Sequence, residues 1–248
     1  MMAFVNLKNN LLSKYPFSYE IIKDDDGDAV LSLFLFEKDK YTDAHVTIPS
    51  FVNGIPVKII DEAAFASSNM ESITLPEHLT TIRRRAFHNC QKLKEISIPD
   101  SVKYISPYTF SYCLSLENVR WSNQLTAIKE FTFFKNTNLK NVTNIDNVEI
   151  IERDAFSSSG ITSFKIPDNC LSIEKEAFRD CFNLKYVYVP PKLKYIKEKA
   201  FMNSTNVRLD CSGNETMKEW ACENNVKLYK LELTSFLKDL NNEKERGE

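Results

Sequence analysis

The chain has 248 residues, of which 43% are hydrophobic and 27% charged, the balance of an ordered globular protein and not of a disordered one. Lysine and arginine total 32 against 34 aspartates and glutamates, a net charge of −2, without the sustained basic excess that nucleic-acid phosphates demand. Five glycines leave little material for phosphate-cradling loops, and six cysteines are too sparse for a disulfide-stapled secreted domain, so the thiols are expected to be reduced.

From Met1 to Pro16 the apolar residues are interrupted by Asn6, Lys8, Asn9, Asn10, Ser13 and Lys14. That pattern lacks the continuous apolar stretch of a secretory signal, and no run of the chain approaches the length needed to cross a bilayer. The expectation is a cytoplasmic location, or the cell surface if a leader has been trimmed, with no membrane insertion.

Tyr19 to Ile22, the acidic run Asp24-Asp25-Asp26-Gly27 and Ala29 to Phe36 predict a strand, a tight turn and a strand. Residues 1–45 are therefore assigned to an N-terminal segment and capping hairpin. The run from Asp24 to Asp28 superficially suggests a calcium loop. Placing Gly27 sixth in such a loop puts Ile22 first and Leu33 twelfth, where carboxylates are required, so the turn reading is preferred.

Residues 46–210 repeat. The marker is a phenylalanine, at Phe65, Phe87, Phe110, Phe133, Phe156, Phe178 and Phe201, with gaps of 22 or 23 residues. An isoleucine stands five residues before each: Ile60, Ile82, Ile105, Ile128, Ile151, Ile173 and Ile196. Alanine precedes five of the seven, and Thr109 and Thr132 replace it in the others. Upstream lie Ile73-Thr74-Leu75-Pro76, Ile96-Ser97-Ile98-Pro99, Phe164-Lys165-Ile166-Pro167 and Val187-Tyr188-Val189-Pro190, so the unit reads L-x-x-I-x-I-P-x-x-V-x-x-I-x-x-x-A-F-x-x-C. In the fifth unit Asn144 and Ile145 replace the apolar residue and the proline.

The I-x-I alternation predicts a short strand with one buried face, ended by a proline that removes a ladder donor. V-x-x-I makes a second pass across the core, and A-F-x-x-C turns the chain back through a short helical turn. One unit buries about five large side chains at roughly 1.5–3 kcal/mol each. Ordering its backbone and side chains costs about 1.5 kcal/mol per residue, so no unit folds alone and stacking is compulsory. The fold class is a mainly β, right-handed repeat solenoid with parallel strands, and the seven phenylalanines are its expected structural core.

Residues 211–248 are expected to close the column. Ser212 with Glu215 three residues on is a capping-box pattern, after which Met217, Trp220 and Ala221 share a helical face and Asn224-Asn225 stops the helix. Trp220 is the expected lid on the final coil. Leu231 to Leu240 reads as a second short helix or a subunit contact, and residues 241–248 as a frayed end.

Candidate chemistry is thin. Cys90, Cys113 and Cys181 each follow a marker phenylalanine by three residues. Cys90 and Cys113 could come within disulfide reach on neighbouring coils, but buried thiols filling the turn are the favoured reading. His45, His78 and His88 are accompanied by no catalytic or metal motif and read as solvated corner residues. Arg83-Arg84-Arg85 and Lys192, Lys194, Lys197 and Lys199 are offset by Glu130, Glu152, Glu174, Glu176 and Glu198 in equivalent turns of other units. No catalytic residue, metal site or cofactor is expected.

The exposed spacer of each strand is the most informative surface, because stacking aligns it into a ladder. It runs Thr47, Thr74, Ser97, Arg120, Thr143, Lys165, Tyr188 and Arg208, flanked by Asn118, Asn141, Ser163, Tyr186 and Asn206. The later half is basic and aromatic, and such residues dominate protein interfaces. Arg120, Lys165, Tyr186, Tyr188 and Arg208 are therefore a candidate binding patch for a protein partner.

The repeat resembles the BspA-type (Treponema pallidum-type) leucine-rich repeats, whose signature is I-x-I-P-x-x-V-x-x-I-G-x-x-A-F-x-x-C, over about residues 17 to 230. The usual glycine after the isoleucine is absent from every unit, and Cys170 stands in for an apolar residue. The resemblance implies a hairpin followed by I-P-x-x-x-x-G-x-P, which Ile48-Pro49 and Asn53-Gly54-Ile55-Pro56 fit. It also implies a non-catalytic binding module, commonly an adhesion or host-interaction protein of bacteria and some protists. An intracellular scaffold remains open, and an enzyme is the alternative that a pocket with a perturbed acid or base would revive.

Overall fold

Alternating apolar residues need only a few strand residues per unit to bury one face, and the strands here are correspondingly short. The computed structural model describes residues 17–36 and 44–228. The expected tail element at Leu231 to Leu240, the end at 241–248 and the start at 1–16 lie outside the described residues. The chain opens with β1 (Phe17–Lys23) and β2 (Ala29–Phe36), antiparallel, then β3 (His45–Thr47), β4 (Phe51–Val52) and β5 (Ile55–Ile60). β4 and β5 form a small hairpin on Asn53 (φ 52°) and Gly54 (φ 79°), and two successive left-handed residues match the twist of antiparallel strands.

Two parallel ladders then grow together, one strand of each per coil. The I-x-I strands are β6 (Ser72–Thr74), β8 (Glu95–Ser97), β10 (Asn118–Arg120), β12 (Asn141–Thr143), β14 (Ser163–Lys165), β16 (Tyr186–Tyr188) and β18 (Arg208–Asp210). The V-x-x-I strands are β7 (Thr81–Ile82), β9 (Tyr104–Ile105), β11 (Ala127–Ile128), β13 (Ile150–Ile151), β15 (Ser172–Ile173) and β17 (Tyr195–Ile196). The hairpin extends the second ladder, because β2 pairs in parallel with β5 and β5 with β7, so the first coil's edge is covered by the chain itself.

Between the ladders the marker phenylalanines form one column. Six of the seven are at most 1% exposed and Phe201 is 7% exposed. Successive rings are stacked with centroids 5.2 to 5.9 Å apart. The widest gap, 5.9 Å between Phe110 and Phe133, is where the fully buried Trp121 packs against both rings. Trp121 and Ser122 take the places held elsewhere by the second apolar residue and the proline, so the larger side chain fills the space that the ring column opens.

The helical turn expected of A-F-x-x-C takes a more particular form. Residues two before and two after each marker phenylalanine have positive φ in all seven coils, from Ala63 (53°) and Ser67 (59°) to Lys199 (60°) and Asn203 (63°). Left-handed residues interrupt any helix, and they send alternate N–H groups outward. Ala63, Phe65 and Ser67 donate to Arg84, Ala86 and His88 of the next coil, whereas Ala64, Ala66 and Ser68 close i→i−3 turns within their own. The turns are thus a third inter-coil ladder. The position after the isoleucine is not left-handed, which explains why this chain does without glycine there and uses it for the ion pairs Asp61–Arg83 (2.9 Å) and Lys129–Glu152 (2.8 Å).

The cysteine position completes this ladder. Cys90, Cys113 and Cys181 Sγ donate, each at 3.1 Å, to the carbonyls of Phe65, Phe87 and Phe156 in the preceding coil, and Ser204 Oγ does the same to Phe178 at 2.7 Å. Neither Cys90 nor Cys113 is joined in a disulfide. Burial pushes the Cys181 thiol up to about 11 and those of Cys170 and Cys211 up to about 12, which disfavours the reactive thiolate.

The column closes with α1 (Glu215–Glu223) and β19 (Lys227–Leu228), which pairs with β18. The expected capping box is corrected: the N-cap is Asn214, not Ser212. Asn214 Oδ1 accepts from the Met217 N–H at 3.1 Å, while its Nδ2 donates to the Pro190 and Leu193 carbonyls at 3.0 and 2.8 Å. A serine hydroxyl has a single proton to donate, whereas this amide donates to two carbonyls of the last coil while its oxygen caps the helix. Met217 and Ala221 are buried, and Trp220 meets the Phe201 ring edge-on at 6.4 Å.

Candidate functional site

Strand register decides which exposed residues share a surface. In the β14–β16–β18 sheet, Ser163, Tyr186 and Arg208 are aligned, as are Lys165, Tyr188 and Asp210, flanking the buried row Phe164, Val187 and Leu209. Arg208 therefore stands beside Tyr186, one column away from the Tyr188 alignment expected from the sequence. Lys165 Nζ lies 5.7 Å from the Tyr188 ring centre and 3.4 Å from Asp168. Burial, then the Asp168 charge, pushes the Tyr188 phenol up. Both tyrosines are half-buried, while Lys165 and Arg208 are exposed.

Arg120 belongs to a different sheet. The I-x-I ladder is interrupted between β12 and β14, giving one sheet of β3, β6, β8, β10 and β12 and another of β14, β16, β18 and β19. On β10, beside Ser97 and Thr143, the Arg120 guanidinium grips Asp100 through two bonds of 2.7 and 3.2 Å and donates to the Ile98 carbonyl. Asp100 also accepts from the Asn123 N–H and from Asn144 Nδ2. The structure thus brings together four of the five proposed residues and holds the fifth in an internal network.

The remaining polar candidates have structural partners. Asp24 Oδ1 accepts from the N–H groups of Asp26 and Asp28, and its other oxygen bonds Lys58 at 2.7 Å, which holds the Asp24 carboxyl below its usual range. His45 bonds Ser72, His88 bonds Ser111, and His78 packs edge-on against Phe51. Among the described residues no three His, Cys, Asp or Glu side chains are grouped to hold a metal ion, and no helix is long and apolar enough to cross a membrane.

A repeat model for the BspA type leucine-rich repeat region matches six copies in this chain, over residues 58–185 and 132–244. The chain belongs to the BspA-type leucine-rich repeat family. Three solved structures of this kind superpose on it. The T. pallidum leucine-rich repeat protein is 20% identical, with a TM-score of 0.55, covering 88% of this chain and 96% of its own. A leucine-rich cell surface protein from Faecalibacterium prausnitzii is 20% identical (TM-score 0.51, 77% of this chain and 74% of that one). A leucine-rich repeat protein from Eubacterium ventriosum is 22% identical (TM-score 0.57, 75% and 50%). No curated protein sequence matches. These likenesses establish the solenoid as the fold.

Two features of this BspA-type chain escaped the sequence reading. On the turn face, Tyr108 stacks on Phe131 with centroids 4.6 Å apart, and Arg84 and Arg85 lie 5.2 and 5.4 Å from the centre of the Tyr108 ring. Only Arg83 of the three consecutive arginines pairs with a carboxylate among the described residues, so the charges of coil two do not simply cancel. The signal was present in the spacing, since Tyr108 and Phe131 both stand two residues before the marker. In that same column Asp154 and Glu176 are buried, with Arg179 3.2 Å from Asp154 and 3.1 Å from Glu176. Burial pushes the Asp154 carboxyl up despite the Arg179 charge beside it.

The second feature is the open end. The N–H groups of Phe201 and Asn203, equivalent to the inter-coil donors of every earlier turn, have no acceptor among the described residues, and neither has that of Lys199, whose equivalents donate in the first five coils. These three residues, with Trp220 and Val226, line a cleft of about 310 Å³.

Proposed function

We propose that this BspA-type chain is a non-catalytic binding module that engages a protein partner through the exposed strands of its solenoid. The observation that carries this reading is the register of β14, β16 and β18, which sets Lys165 beside Tyr188 and Tyr186 beside Arg208 on one rigid sheet. Tyrosine and arginine on a preorganised surface bury large area with little entropy loss, the character of interface hot spots. Arg120, Lys165, Tyr186, Tyr188 and Arg208 are the residues assigned to it, with Arg120 at its margin. Affinity capture with the folded protein identifies the partner, and alanine at all five positions then tests the face: binding is lost in this reading, and unchanged binding refutes it.

A second reading places the same face at a cell surface, as an adhesion or host-interaction protein. It is favoured by the likeness to a F. prausnitzii protein described as a leucine-rich cell surface protein. Fractionating the native host's cells separates the two readings, since a surface protein follows the envelope and a scaffold follows the cytosol.

A further inference from the structure

The turn face of the second to fourth coils carries a cluster that the strand-face reading does not use. Tyr108, Phe131, Phe134 and Tyr112 form a continuous set of half-buried rings: Tyr108 stacks on Phe131, Phe131 meets Phe134 edge-on at 5.6 Å, and Phe134 meets Tyr112 edge-on at 5.4 Å. Three exposed cations cover them. Arg84 and Arg85 lie over Tyr108, and Lys135 Nζ lies 5.1 Å from the centre of Tyr112 and 5.5 Å from that of Phe134. None of the three is ion-paired among the described residues. Arg85, Tyr108, Tyr112, Phe131 and Lys135 all have positive φ. A bulky aromatic such as Phe131 in that region is strained, and the strain is held by the coil-to-coil ladder.

We propose that this cluster is a docking site for an acidic peptide segment of a partner protein. One face of Tyr108 is taken by Phe131 and its surroundings by two guanidinium groups, so the ring is poorly placed to stack a nucleobase or sugar. A guanidinium laid over a ring keeps its in-plane N–H fork available, and that fork matches a carboxylate. The site is therefore rigid, positively charged and walled by aromatic carbon, which suits carboxylates interleaved with apolar side chains. The contrast lies in the neighbouring coils, where Asp154, Glu176 and Arg179 neutralise one another internally. On the turn face of coils two to four, Arg83 and Lys129 are paired with Asp61 and Glu152, and Arg84, Arg85 and Lys135 are left without a carboxylate partner among the described residues.

The test uses the full chain and a fluorescein-labelled peptide of alternating glutamate and leucine, with a glutamine-for-glutamate counterpart, followed by fluorescence anisotropy. The acidic peptide is expected to bind saturably and to weaken as salt rises. Arg84→Gln, Arg85→Gln and Lys135→Gln combined are expected to weaken it about tenfold or more, whereas Lys103→Gln, at an exposed lysine of neither site, leaves it unchanged. Thermal melting verifies that the triple variant is folded, and Arg84→Gln alone, which alters no left-handed residue, must show part of the loss. Equal binding by the triple variant, or by the glutamine peptide, overturns the proposal. So does tighter binding of single-stranded DNA through the same residues, or concentration-dependent self-association that the triple substitution abolishes, which would make a second copy the occupant.

Discussion

Gly160 lies so close to Thr137 in the preceding coil that a Cβ on the glycine would stand 2.0 Å from the Thr137 carbonyl oxygen. This approach occurs in the coil after Phe156, one of the two that advance by 22 residues, and beside the break between β12 and β14. The Gly160 N–H donates to the Asn136 carbonyl at 2.9 Å, so the shortened chain is held down on its neighbour. The obstructing atom is backbone and cannot swing aside. Gly160→Ala is therefore expected to destabilise the protein by about 1–3 kcal/mol or more, by forcing the two coils apart. Thermal melting measures it, with Gly27→Ala as a contrast in which the cost is the positive φ alone, since nothing lies within 4 Å there. A melting temperature unchanged by Gly160→Ala would contradict the close approach.

Phe110→Ala and Phe156→Ala each remove a fully buried ring stacked on both sides. Each is expected to cost about 3–5 kcal/mol. Because each coil is held only by its neighbours, the loss should be local first. Hydrogen exchange of the flanking turns is expected to accelerate more than that of the N-terminal hairpin, and uniform acceleration throughout would argue against a quasi-linear fold.

The helix cap distinguishes two asparagine and serine roles. Asn214→Ala removes the acceptor for the Met217 N–H and the donor to two carbonyls of the last coil. It is expected to cost about 1–2 kcal/mol. Ser212→Ala should be nearly neutral, because the exposed Ser212 is not the cap. The reverse ranking in chemical denaturation would restore the capping box.

Asp154 sets a pH dependence. Its carboxyl is pushed up by burial, so the folded state binds its proton more readily than the unfolded chain does. Stability from this group is then present below the unfolded carboxylate pKa and is lost as pH rises through the folded value. Asn is neutral and tolerates the left-handed backbone that Asp154 adopts (φ 53°). Asp154→Asn is expected to raise the melting temperature more, or lower it less, at neutral pH than at acidic pH. A difference that stays constant with pH would remove Asp154 as the cause.

Thiol reactivity follows burial. Of the six cysteines, five are buried and Cys222 alone is exposed. In the native protein a thiol reagent should therefore titrate one equivalent rapidly, and the others only on unfolding. Fast reaction of Cys90 or Cys113 would mean that the turn ladder is open.

Spacing alone carried the solenoid, since a phenylalanine and an isoleucine recurring at fixed offset can be buried together only if the units stack. The repeat offsets likewise located the strand prolines and the buried cysteine position, and the strand–turn–strand pattern around the acidic run located the hairpin at Asp24 to Gly27. What spacing could not convey was the geometry between coils. Whether Arg208 stands beside Tyr186 or Tyr188 depends on strand register, which a one-unit alignment leaves ambiguous by a column. The helix cap passed from Ser212 to Asn214 because the deciding bonds run to Pro190 and Leu193, more than twenty residues away in sequence and adjacent only after stacking. Arg120 looked like a free cation until Asp100 of the neighbouring coil closed on it, and the arginines of coil two looked neutralised until Tyr108 and Phe131 came beneath them. Periodicity is a property of each unit and is written in the chain; contacts between units depend on their relative placement, which only the tertiary structure decides.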